Sequence, residues 1–245
     1  MFSPRMGRLS RRVVIAFALA APLLAALALA PVRRLFHPLV VRVRGAYTVE
    51  QRLAEFTGAT ARLNSHFNAA GLAFPPNRVV LLGLKDERRL EVYAGPADDA
   101  LRHIADYPIL AASGSLGPKL REGDWQVPEG VYPLESLNPD SRFHVALRVG
   151  YPNSFDRDMA ARDGRQNLGA AIMIHGGSAS VGCLAMGDDA AEELFVLAVN
   201  TGAENVTILL SPLDLRTRPL PESLNVGWRA ELYSGIRSRL TSLNP

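Results

Sequence analysis

Cys183 is the one cysteine of the chain, and His175 stands eight residues before it in the segment Ile172-Met173-Ile174-His175-Gly176-Gly177-Ser178-Ala179-Ser180-Val181-Gly182-Cys183-Leu184-Ala185-Met186. A thiol with a pKa of about 8.5 is mostly protonated at neutral pH, and an adjacent imidazole together with a helix N-terminus would lower that value and supply a nucleophilic thiolate. Gly176, Gly177 and Gly182 permit close backbone approach and positive φ, so the amides near Gly182 and Cys183 are the expected donors to a developing oxyanion. On spacing alone the bland readings stand beside this one. A lone cysteine is commonly a small core residue, a strand-end histidine is commonly structural, and loop glycines commonly serve the turn. Metal chemistry is disfavoured, because His37, His66, His103 and His144 are scattered and no second cysteine or acid-histidine pair has ligand spacing. No metal or other cofactor is expected.

The elements that must position this pair are legible in outline. Ala171 to Ile174 reads as a strand that delivers His175 at its end, and Asp188 to Asn200 reads as a helix with Asp188 or Asp189 as N-cap and Glu192 and Glu193 in its first turn. Cys183 is thus expected just ahead of a helix. Other short β-like runs are Val79 to Leu84, Arg89 to Tyr93, Tyr107 to Ala112, Gly130 to Leu134, Phe143 to Val149 and Asn205 to Leu210, divided by turns rich in Gly, Pro, Asn and Asp. Within Phe143 to Val149 the apolar residues Phe143, Val145, Leu147 and Val149 alternate with Arg142, His144, Ala146 and Arg148, which predicts one buried face and leaves His144 on the exposed one. Upstream, Leu53, Phe56, Leu63 and Phe67 predict a helix over Tyr47 to Leu72, stopped by Phe74-Pro75-Pro76. A Pro-rich stretch, Pro212 to Pro221, and a last helix near Trp228 to Leu240 close the chain. The body is a strand-dominated α+β domain.

The chain has 245 residues, 48% of them hydrophobic, enough for one sizeable core and little more. Its formal charge of +3 is unevenly spread: residues 1 to 44 hold eight arginines and no acid, which leaves 19 basic residues against 24 acidic ones elsewhere, about five net negative charges. A nucleic-acid partner is therefore excluded as a reading. From Val13 to Ala30 the sequence runs 18 residues without a charge behind Arg5, Arg8, Arg11 and Arg12, the pattern of an exported protein. Two versions compete. A cleaved signal peptide could use Ala26-Leu27-Ala28 or Ala28-Leu29-Ala30, whereas the length of the run and Pro31 directly after Ala30 argue for an uncleaved membrane anchor. Either way the body is expected in the periplasm, in the first case released there and in the second tethered to the inner membrane.

The His175 to Met186 segment resembles the signature of the YkuD-type L,D-transpeptidases, His-Gly, a short loop, then Ser-His-Gly-Cys-Xaa-Arg-Met. Gly123-Asp124-Trp125-Gln126-Val127-Pro128-Glu129-Gly130-Val131-Tyr132 is similar to that family's Gly-Xaa-Xaa-Xaa-Thr-Pro-Xaa-Gly-Xaa-Phe element. The YafK-like branch is closer still, through Gly117-Pro118-Lys119, Gly123-Asp124, Pro128-Glu129-Gly130, Gly150-Tyr151-Pro152-Asn153 and Ser180-Val181-Gly182-Cys183-Leu184-Ala185-Met186. These motifs run in order over roughly half the chain. The resemblance implies an α+β, mainly β fold, a β-sandwich with flanking helices, preceded here by an N-terminal membrane helix. It implies a domain at 78-211, after a basic segment (1-12), an anchor or signal peptide (13-32) and a linker with a helical spacer (33-77), and before a C-terminal extension (212-245).

What the resemblance implies for chemistry is attack by Cys183 on a diaminopimelate carbonyl of a peptidoglycan stem peptide, with His175 as base and the carbonyl of Gly176 orienting it. Gly176 and Gly182 would supply orienting and oxyanion backbone groups. Ser180, Lys119 and Tyr151 are candidate substrate contacts; Asp124 and Asn153 share the motifs but suit turn and capping roles equally. A cluster of Arg157, Arg162 and Arg165 could meet stem carboxylates, beside the reading of a solvated loop. Val181 and Ala185 depart from the signature's His and Arg, which opens substrate choice and the choice between transfer and hydrolysis. A related hydrolase releasing a wall-attached protein or a stem peptide is the alternative, and a silent peptidoglycan-binding scaffold is the third reading.

Overall fold

The computed structural model describes residues 30–97 and 101–243. The choice between anchor and cleaved signal turns on the run from Val13, which lies outside the described residues apart from Ala30. The chain divides into two units, residues 1–46 and 47–245. In the first, helix α1 (Ala30–Arg44) carries Arg42 and Arg44 in its last turn, where they complement the negative end of the helix dipole. Among the described residues no helix is long and apolar enough to cross a membrane.

The second unit opens with two helices where the apolar spacing predicts one. Helix α2 (Val49–Glu55) starts on a reciprocal capping box between Thr48 and Gln51. The chain leaves helical geometry at Phe56, with ψ at 39°, so that the phenyl ring enters the core edge-on to Phe195 at 6.4 Å. Helix α3 (Thr57–Ala69) then buries Ala59, Leu63 and Phe67, residues at i, i+4 and i+8 that share one stripe.

Strands β1 (Arg78–Leu84), β2 (Arg89–Gly95), β3 (Arg102–Pro108), β4 (Ala111–Ala112), β5 (Gly130–Ser141), β6 (His144–Val149), β7 (Met173–His175), β8 (Leu184–Ala185) and β9 (Val206–Ser211) join in the order β3-β2-β1-β9-β5-β6-β7-β8-β4. The β1/β9 and β7/β8 pairs are parallel and the other pairs antiparallel. The expected sandwich takes the form of a single mixed sheet. The reason is β5, predicted to end at Leu134 but continuing to Ser141: it pairs with β9 through Gly130 to Pro133 and with β6 from Leu134 onward, with a register shift between Leu134 and Ser136. That bulge lets one long strand serve both halves. The predicted strand Tyr107 to Ala112 is divided, because Ile109 N–H donates to Arg88 at 2.8 Å and Leu110 N–H to Ala185 at 2.8 Å, carrying the chain from β2 toward β8.

Alternation along the strands feeds two cores. Leu81, Ile208 and Leu210 face a large cluster shared with α3 and with helix α5 (Asp188–Thr201), while Leu82, Leu84 and Leu209 face a smaller one shared with helix α6 (Arg229–Thr241). A further helix, α4 (Ser154–Arg162), escaped the sequence reading although Asn153 caps it in a reciprocal box with Asp156. In β6, Val145, Leu147 and Val149 are buried as the alternation predicts. His144 is not simply exposed: its ring nitrogen lies 2.8 Å from Glu192 of α5, and its own φ is +79°.

Candidate active site

Parallel strands usually need a crossover of a dozen or more residues. Here β7 and β8 pair in parallel, Ile174 beside Leu184 and His175 beside Ala185, across a connection of residues 176–183. Backbone alternation sets His175 and Ala185 toward one side and Ile174 and Leu184 toward the other, and Cys183 closes the connection directly ahead of Leu184. The connection works because of its glycines. A Cβ on Gly176 would fall 2.6 Å from both Asp188 Oδ1 and Phe143 O, and Gly177 and Gly182 have φ of +69° and +79°.

His175 is buried, with its ring against Phe143 at a centroid distance of 4.5 Å. Its Nδ1 lies 2.6 Å from the carbonyl oxygen of Gly176, which can only accept, so Nδ1 carries the proton and Nε2 is the basic nitrogen of the ring. The loop is stitched to the start of α5: Gly177 N–H donates to Asp188 Oδ1 at 2.7 Å, Gly187 N–H to Gly177 O at 2.9 Å, and Met186 N–H to His175 O at 2.8 Å.

Cys183 is half-buried, its Sγ 3.8 Å from the carbonyl of Ala171, a residue held at φ +60°. The electrostatics differ from the sequence expectation. Burial pushes the thiol above its ordinary pKa, opposed by the backbone of Met173 and the charge of Lys119. Helix α5 begins at Asp188 as the sequence predicts, with β8 standing between it and Cys183. A thiol shifted in this direction needs a base to take its proton before it can act as a nucleophile.

The amides assigned to an oxyanion have protein acceptors at rest. Cys183 N–H donates to Ser180 Oγ at 3.0 Å, and that hydroxyl donates back to Cys183 O at 2.5 Å. Gly182 N–H donates to Ser113 Oγ at 2.5 Å, and Ser113 in turn donates to the carbonyl of Trp125 at 2.7 Å. Ser180 therefore closes the loop locally, and Ser113 is a site residue that sequence reasoning missed, since nothing at position 113 links it to a loop 69 residues on.

The other candidates are also drawn inward. Lys119 is buried, its ammonium 2.6 Å from Asp124 and 2.9 Å from Arg121 O, and Asp124 collects the N–H groups of Leu120, Arg121 and Gln126. That carboxyl sits below the ordinary range: its burial works the other way but is outweighed by Lys119 and those backbone donors. Tyr151 is buried with its hydroxyl on Lys119 O and Leu168 O at 3.3 and 3.2 Å, and Asn153 caps α4. These residues shape the wall of the site. Beside it runs a groove of about 980 Å³, lined by parts of 114–126, by 165–167 and by Arg229. Of the arginine cluster Arg165 reaches this groove and Arg157 and Arg162 do not; Arg121 and Arg229, from distant segments, do. Among the described residues no group of three or more His, Cys, Asp or Glu side chains is placed to hold a metal ion.

The model of the YkuD L,D-transpeptidase catalytic domain matches residues 77–208, which include His175, Cys183 and the loop between them. The chain belongs to this family. Among curated relatives, YafK of Escherichia coli strain K12 is 38% identical over 136 residues, 54% of this chain and 52% of that protein, and YafK of strain O157:H7 gives the same figures. The chain thus spans about half the length of the curated relatives it matches. Solved structures similar to it include the helical cell shape determining protein Pgp2 of Campylobacter jejuni, at 24% identity and TM-score 0.45 over 56% of this chain and 49% of that one. Bd1075 of Bdellovibrio bacteriovorus follows at 23% identity and TM-score 0.40, over 66% and 56%. The match to the L,D-transpeptidase domain ends before α6, so Arg229 stands outside it.

Proposed function

We propose that this chain is a cysteine acyltransferase, an L,D-transpeptidase acting on diaminopimelate-containing peptidoglycan stem peptides. The observation that carries the reading is the parallel pairing of β7 with β8, which brings the strand that ends in His175 beside the strand that Cys183 directly precedes. The raised thiol pKa makes proton transfer part of the attack. His175 Nε2 takes the thiol proton while Sγ bonds to the diaminopimelate carbonyl carbon. The imidazolium, steadied by the Gly176 carbonyl, returns the proton to the leaving amine as the C–N bond breaks, leaving a thioester. An acceptor amine then attacks the thioester, gives its proton to His175, and releases the cross-link and the thiol. Water in the acceptor's place gives hydrolysis. In the tetrahedral intermediate the oxyanion takes the place of Ser113 and Ser180 as acceptor of the Gly182 and Cys183 amides.

The test is the product spectrum from purified muropeptides, with and without a protein-linked stem, read by mass spectrometry. New cross-links are expected, and C183A and H175A should lower turnover by at least about a thousandfold. Full activity in C183A ends the reading, and liberated stem peptide or protein without cross-links replaces transfer by hydrolysis. In this proposal the apolar run from Val13 holds the domain on the periplasmic side of the inner membrane. Protection of the domain from protease added to spheroplasts contradicts that placement.

A further inference from the structure

Trp125 combines two features that rarely coincide. Its backbone has φ +55°, a left-handed conformation unfavourable for a bulky L residue, and its side chain is 65% exposed. A strained backbone is commonly offset by packing of the side chain it carries, but this indole stands in solvent. The strain is imposed from both flanks. Ser113 holds the Trp125 carbonyl at 2.7 Å, and Asp124 gathers the N–H groups of Leu120, Arg121 and Gln126 around the turn. Strain fixed in this way collects at functional sites.

The place it occupies says which site. Ser113, which fixes the Trp125 carbonyl, also accepts the Gly182 amide, and a Cβ built on Gly182 would lie 4.0 Å from the Trp125 carbonyl carbon and 3.6 Å from Gln126 O. Residues 125 and 126 therefore pass directly alongside the residue that precedes the thiol. On the other side of Gly182 stands Val181, 69% exposed. Arg121 of the same segment and Arg165 of a distant one line the groove.

We propose that Trp125 determines donor specificity by packing its indole face on the aliphatic side chain of the residue whose carbonyl Cys183 attacks. The inference rests on the peptide acyl donor proposed above. Its ligand is a methylene chain, because a group one residue from the nucleophile meets the reacting amino acid, whereas the sugars of the wall lie several residues up the stem.

The test uses the full chain with a diaminopimelate stem peptide, free and joined to its disaccharide. W125A is expected to raise KM about tenfold on both donors with kcat little changed, a loss of the size that apolar contacts give, and W125F to restore most of it. Alkylation of Cys183 by iodoacetamide, which needs no platform, stays at the wild-type rate. W125G, which relieves the left-handed strain, keeps or raises the melting temperature while losing KM like W125A. An unchanged KM in W125A, a loss confined to the disaccharide donor, slowed alkylation, or a W125G that melts well below wild type each overturns the proposal. Turnover surviving in C183A, or a wild type inert toward both donors, overturns the parent reading as well.

Discussion

The segment from Ser113 to Glu129 is held in two contrasting ways. At its first end one half-buried hydroxyl, Ser113 Oγ, bridges the Gly182 amide and the Trp125 carbonyl. At its last end Glu129 is fully buried and accepts from Gly117 N–H at 2.7 Å, Lys85 Nζ at 2.8 Å and Tyr233 OH at 2.7 Å. Lys85 spends its remaining donors on Gly117 O and Val127 O at 3.0 and 2.9 Å. Burial pulls the Lys85 amine below its ordinary pKa, with Glu129 working against that, and pushes the Tyr233 hydroxyl up. The buried end has no donor left to exchange, so it fixes geometry; the half-buried end holds the Gly182 amide by a neutral acceptor, which the proposed oxyanion would replace. Rigidity and chemistry are thereby separated along one stretch of chain.

The widest gap between the two ends should be seen on removing their central groups. C183A is expected to lose at least about a thousandfold in turnover with its denaturant midpoint unmoved, and a large fall in stability would mean that the thiol is a packing group. E129A is expected to cost about 3–5 kcal/mol of unfolding free energy, because it strands the Lys85 charge in the interior. Guanidinium titration reads that value, and a loss below about 1 kcal/mol would place the pair among surface ion pairs. A smaller effect concerns protonation. Since burial raises the thiol, its thiolate fraction at pH 8 lies below that of free cysteine, so iodoacetamide should alkylate Cys183 more slowly and its rate should still climb above pH 9. A rate that levels off below pH 8 would show an already ionised sulfur.

How far the sequence revealed this depended on whether a signal was local. His175, Gly176, Gly182 and Cys183 share one short segment, so their types and spacing could be read together. The strands β1, β6 and β9 were found within a residue or so of their ends, β6 by its alternation. What stayed hidden depends on partners far along the chain. Nothing at Ser113 or Arg229 announces a site, β8 is two residues long, and β5 continues through Pro133 and Pro139, residues that argue against a strand. Lys119 and Tyr151 were visible as motif residues, but their inward orientation followed from burial that composition does not report. The thiol's raised pKa was missed for the same reason, since it follows from burial, although α5 starts at Asp188 as read.

The shortness of β7 and β8 carries one more consequence. A ladder of three residues against two provides little cohesion of its own, and the loop between them is secured chiefly by the bonds that Gly177, Met186 and Gly187 make around the first turn of α5. Loosening that turn is expected to abolish the proposed turnover while the rest of the sheet stays folded. Inactivation by heat would then precede global melting, with the lowest amide-exchange protection of the region falling on the few N–H groups between Gly176 and Asp188.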